Sequence, residues 1–200
     1  MQRLAGIMLV IGAILFVGGV SILPQIFSGE AINNPQLQAE LIRNDQTNWA
    51  IGTLLLAVGA LLSGIGMALL ALHLHNSGHS QRVKMAAYVG AGAAVVAALL
   101  WLVISTHRLA QPPEVLVSDL DLEPLFTIYT LFNLAALIII GVVLFMAGYP
   151  KWLSLLIIVY TVLIAIGLRD IPLFYYVPLV PLGIVLLLRS RSPQPIAQPA

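Results

Sequence analysis

Residues 49–72 read WAIGTLLLAVGALLSGIGMALLAL, an uncharged run in which Thr53 and Ser63 are the only hydroxyls. As a helix rising about 1.5 Å per residue, it is long enough to cross a hydrocarbon core of about 30 Å. A soluble core helix would carry a polar stripe, and this run is apolar all round. Five more runs share its character: Leu4 to Leu23, Met85 to Ser105, Leu125 to Ala147, Trp152 to Leu168 and Ile171 to Leu188. Only Arg169 and Asp170 separate the last two. A charge at mid-bilayer costs at least a few kcal/mol, so that pair marks a tight hairpin between two spans. The sequence therefore predicts an all-α fold, a polytopic transmembrane bundle of about six spans over residues 1–191. The Pro193, Pro195 and Pro199 tail, residues 192–200, is expected to be disordered and cytoplasmic.

Composition points the same way. Hydrophobic residues make up 60% of the chain and charged residues 8%, where a soluble domain carries about a quarter charged residues. Cysteine is absent, which excludes disulfides, thiolate metal sites, iron–sulfur clusters and a cysteine nucleophile. Arg3 ahead of the first apolar run gives the N-terminus a look of a signal peptide. The run is longer than the roughly 7 to 15 residues of such a segment and lacks a small-residue cleavage site, so it is expected to stay as the first span.

Charge in the connectors sets the orientation. With the N-terminus inside, Arg3, Arg82, Lys84, Lys151, Arg189 and Arg191 fall on the cytoplasmic face. Glu30, Glu40, Asp45, Glu114, Asp119, Asp121, Glu123 and Asp170 then fall outside, opposed by Arg43, Arg108 and Arg169. An excess of Lys and Arg in short inner loops predicts both termini in the cytoplasm of a cell-membrane protein. Trp49 and Trp101 near the outer ends, and Tyr149 and Trp152 near the inner face, match interfacial belts. In the first outer loop Asn34 and Pro35 resemble an N-cap and first-turn proline, with Leu37, Leu41 and Ile42 on one side of a short surface helix. The second alternates apolar and acidic residues from Val117 to Glu123.

Small residues every fourth position let helices approach closely in lipid. Ala60, Gly64 and Ala68 form one such ladder and Ala86, Gly90, Ala94 and Ala98 another. The short loop between these spans predicts that they pack antiparallel along the two ladders.

The polar and aromatic groups define candidate ligand contacts. Asn133 is the deepest polar side chain, about 13 Å from the outer end of its span. Tyr160 on the next span is its expected hydrogen-bond partner, and a ligand contact is the alternative. Trp49, Trp101, His107, Tyr129, Tyr175 and Tyr176 share the outer third of the membrane. They are expected either to wall an outward-facing pocket or to form an interfacial belt. Pro178 and Pro181 are interior to the last span, where each removes a donor and should kink it. His73, His75 and His79 share one inner loop, but residues two apart on a helix diverge, and no metal is expected there. Asp119, Asp121 and Glu123 lack the glycine of a calcium loop.

No ionisable residue stands in the middle of any span, which argues against an ion-driven pump. No zinc-protease, serine-hydrolase, nucleotide or dinucleotide signature is present. No catalysis, cofactor or nucleic-acid partner is expected. From Gly141 to Leu188 an apolar span, the turn Gly148-Tyr149-Pro150-Lys151-Trp152, a short span and a proline-containing last span follow one another. This pattern resembles six-span bacterial integral membrane proteins grouped as a domain of unknown function. The resemblance implies a six-helix bundle and carries no functional residue. Two functions fit: a non-catalytic protein acting on the lipid bilayer, a membrane-protein partner or a homo-oligomer, and a small permease or lipid-handling transporter using the outer aromatic pocket.

Overall fold

The computed structural model describes residues 1–22, 34–113, 122–167 and 171–190. Seven α-helices and one 3-10 turn are present among them: α1 (Gln2–Ile22), α2 (Pro35–Asn44), α3 (Gln46–Asn76), α4 (Gln81–Ala110), α5 (Leu122–Met146), α6 (Lys151–Gly167), the turn Pro172–Tyr175, and α7 (Leu179–Arg189). The fold is all-α, as the apolar runs require. Four helices, α1, α3, α4 and α5, and the Pro172–Arg189 stretch are long and apolar enough to cross a membrane; α6 is apolar but has 17 residues. The Arg169–Asp170 hairpin, most of the Val117–Glu123 loop and the tail lie outside the described residues.

Surface and interior are inverted relative to a soluble helix. Between Ala50 and Leu72 the exposed large side chains of α3 are Ile51, Leu54, Val58, Ile65 and Leu72, while the hydroxyl residues Thr53 and Ser63 are buried. The same apolar covering continues over α4, α5 and α6 through Val89, Val103, Leu131, Phe145, Val159 and Ile166. Leaving such residues outward forfeits roughly 1.5 to 3 kcal/mol each in water. In hydrocarbon the cost vanishes.

Neighbours pack in ring order: α7 on α1, α1 on α3, α3 on α4, α4 on α5 and α5 on α6. The 3-10 turn touches α1, α5 and α6 and so closes the ring at one end. Glycine makes the tightest seam. A β-carbon added at Gly12 would lie 2.5 Å from Ser63 Oγ and 2.8 Å from the Gly59 carbonyl. One at Gly19 would lie 2.7 Å from the Gly52 carbonyl, and one at Gly59 2.6 Å from the Phe16 nitrogen. α1 and α3 are therefore antiparallel and in backbone contact, through Gly12 and Gly19 on one side and Gly52, Gly59 and Gly66 on the other. That seven-residue spacing keeps the small residues on one face. Gly6 and Gly183 join α1 to α7 in the same way.

The predicted α3–α4 seam is present at Gly64, where an added β-carbon would meet Ala98 Cβ at 3.0 Å and the Ala94 carbonyl at 3.6 Å. Gly90 departs from the expectation. Its open side faces Ile139 and Ile140 of α5, because helix rotation carries the lower part of the ladder to the next neighbour.

Helix ends are specified locally. Asn34 caps α2, its side chain accepting from the Leu37 N–H at 3.2 Å, with Pro35 in the first turn. Gly78 and Gly148 adopt φ of +73° and +74°, and at Gly148 the Tyr149 N–H donates to the Leu144 carbonyl at 3.0 Å, which ends α5 in a Schellman turn. α3 and α4 run past the predicted 49–72 and 85–105 bounds, so His107 and Arg108 are helical. The last span is not one kinked helix. It breaks at Pro178, which caps α7, while Pro181 falls in the first turn, where its missing N–H has no role. Ile171 stands at the cap position before Pro172.

Candidate functional site

The aromatic residues Trp101, Tyr129, Tyr175 and Tyr176 converge at one end of the bundle. Trp101 on α4 lies 4.7 Å, centroid to centroid, from Tyr129 on α5. Tyr129 meets Tyr175 edge-on at 5.9 Å, and its hydroxyl donates weakly to that of Tyr176 at 3.4 Å. Two rings that position along the chain had not marked complete the group. Phe16 of α1 stacks on Tyr176 at 3.7 Å and tilts against Trp101 at 5.4 Å, and Phe126 packs on Trp101 and Tyr129. The Pro178 break turns Tyr175 and Tyr176 into this cluster. A continuous helix would carry them along its own axis.

These rings do not wall an open pocket. Tyr129 is 0% exposed, Tyr175 1%, Trp101 2% and Tyr176 3%, so they form the interlocked interior of one end of the bundle. Trp49 is buried as well. The Arg108 guanidinium lies 5.5 Å from the Trp101 ring centre, and His107 beside it is half-buried.

A cavity of about 20 Å³ lies beside the cluster, lined by Ser63 and Gly64 of α3, Ala94 of α4, Asn133 of α5, and Tyr175 and Tyr176. The small residues Gly64 and Ala94 leave the space. It has room for one water, which needs about 10 to 15 Å³. Asn133 reaches this cavity, but its amide does not pair with Tyr160. It donates instead to the Tyr129 carbonyl, one turn back, at 3.0 Å, and Tyr160 stands half-buried on α6. Pro178 cannot donate to the Phe174 carbonyl, so a polar edge of backbone adjoins the aromatic group. Buried atoms without a partner include Ser63 Oγ, Thr53 Oγ1, Thr130 Oγ1, Ser154 Oγ and Trp101 Nε1.

The chemistry of this region is neutral: amide, phenols, hydroxyls and rings, with no carboxylate or imidazole at the cavity. Its described lining can hold a water or a small neutral group. Among the described residues no three His, Asp or Glu side chains group for a metal; the His75 ring rests 5.6 Å from that of Tyr88. Comparison of the chain with family models, with curated proteins and with solved structures finds no match.

Proposed function

We propose that this chain is a six-span integral membrane protein of the cell membrane, with both termini cytoplasmic. It acts without catalysis, by binding another membrane protein, a second copy of itself, or lipid. The inverted surface supports the membrane location. α6, at about 1.5 Å per residue, spans about 25 Å and serves as the sixth crossing with little bilayer thinning. The orientation is supported by contacts that gather one end of the bundle: Gln2 Nε2 donates to the Leu186 carbonyl at 3.2 Å and Arg189 Nη2 to the Gly148 carbonyl at 3.1 Å. Arg3, Arg82, Lys84, Lys151 and Arg189 belong to that end, as the inner face of a membrane protein requires.

The observation that carries the non-transport reading is volume. Small-molecule sites usually enclose about 300 to 1,000 Å³, and the cavity at Asn133 measures about 20 Å³ beneath packed rings. The permease reading draws on one feature, the broken last span beside that cavity, since broken helices line transport sites. Reconstitution into vesicles separates the two. The binding reading predicts solute flux equal to that of empty vesicles, together with lipid or protein retained in native mass spectra from mild detergent. Flux above the empty-vesicle rate that falls in Asn133→Leu would establish the permease.

A further inference from the structure

The inner end of α6 is unlike the rest of the surface. α6 is supported along its length by α5 and reaches the 3-10 turn at its far end. Its outward side carries Trp152, Leu155, Val159, Leu163 and Ile166, all exposed and in line at helical spacing. At the foot of this stripe Lys151 is exposed. At the α5–α6 turn just before Lys151 the exposed Arg189 guanidinium is already fixed: it donates to the Gly148 carbonyl at 3.1 Å and lies 4.5 Å from the centre of the Tyr149 ring. The Gly148 carbonyl and the Tyr149 phenol engage part of the five-donor guanidinium, and the remaining N–H groups are left for an outside acceptor. Burial pushes the Tyr149 phenol above its usual value, against the opposing pull of Arg189, so the ring beneath the guanidinium stays neutral. The acids among the described residues, Glu40, Asp45 and Glu123, stand at the opposite end of the bundle. No described carboxylate competes for either cation.

We propose that the foot of α6 is a binding site for anionic phospholipid, whose phosphate pairs with Lys151 and Arg189 while its acyl chains lie along the Trp152–Ile166 stripe. Charge complementarity chooses the occupant. A zwitterionic lipid would bring its own cation to a face whose described charges are all positive, whereas an anionic headgroup answers it. Arg189 loses little rotamer freedom on binding because the α5–α6 turn holds it beforehand. The exposed Trp152 sits at headgroup depth, where its ring is favoured. The proposal rests on the membrane reading above and adds to it the chemistry of the partner.

The test uses the full chain in bilayers of equal phosphatidylglycerol and phosphatidylcholine, with co-purified lipid measured by native mass spectrometry. The wild type should retain phosphatidylglycerol in excess. Each cation removed should lower that retention about fivefold, in Arg189→Gln and in Lys151→Gln, from the usual worth of a basic group at an anionic surface. Arg189→Lys with Lys151→Arg should keep it, and Arg82→Gln with Lys84→Gln should change it far less. Equal losses in all the neutralised variants would mean diffuse attraction and overturn the site. So would a wild type without headgroup preference in a protein that resists alkaline carbonate extraction. Release of the wild type by carbonate would instead overturn the membrane reading itself.

Discussion

Gly12 and Gly92 are both helical glycines on apolar helices, yet they carry different burdens. A β-carbon at Gly12 meets Ser63 and the Gly59 backbone, whereas one at Gly92 has open space around it. Backbone cannot move aside as a side-chain end can, so Gly12→Ala should lower stability by about 1 to 3 kcal/mol. Gly92→Ala should be neutral or slightly stabilising, as alanine is the better helix former. Thermal unfolding in mild detergent checks the pair, and equal melting temperatures would remove the α1–α3 seam. At Asn133 the amide bonds within its own helix. Tyr160→Phe should therefore leave stability unchanged, and Asn133→Leu should cost no more than about 1 kcal/mol. A clear loss in each single variant, with the double variant losing less than their sum, would restore the interhelical bond that the geometry replaces. The depth of Asn133 is legible from its position in an apolar run. Its partner is not, because the choice between Tyr129 and Tyr160 depends on the rotation of α5 by part of a turn.

Elements show the same division between what spacing tells and what rotation decides. Apolar length located five stretches long enough to cross a membrane and the shorter α6 to within a few residues at most ends, and the Asn34–Pro35 signature placed the start of α2. The four-residue rule found the close face of α3 around Gly64. It missed the close α1–α3 approach because Gly12, Gly19, Gly52, Gly59 and Gly66 recur at seven residues. A ladder reveals that a helix has a narrow face without naming the neighbour that uses it, and Gly90 illustrates this by facing α5. The aromatic residues are a similar case. Depth along each span grouped Trp101, Tyr129, Tyr175 and Tyr176, but inward orientation came from the break at Pro178. Phe16, the one ring in the first apolar run, joined them only through the α1–α3 packing. Pro181→Ala should change stability by less than about 0.5 kcal/mol, since the proline replaces an unneeded N–H. Pro178→Ala restores a donor for the Phe174 carbonyl and should draw the two tyrosines out of the cluster, seen as a loss of near-ultraviolet circular dichroism. An unaltered aromatic signal would assign the break to packing and not to the proline.

For the whole molecule, one physical circumstance joins the observations: large apolar side chains cover the outside, hydroxyls and an amide lie inside, and five of the seven described Lys and Arg side chains gather at the end opposite the described acids, which only Arg43 and Arg108 join. A bilayer satisfies all three at once. Its hydrocarbon replaces the missing polar surface, its headgroups receive the charged ends, and a protein so packed has its outer faces and its inner rim available for partners. The absence of native cysteine allows this to be tested with single cysteines on exposed connectors. In intact cells, Asn44→Cys and Gln111→Cys should react with an impermeant maleimide, while Ser77→Cys and Ser190→Cys should react only after permeabilisation. Labelling of Ser77→Cys and Asn44→Cys from the same side of the membrane would contradict the account.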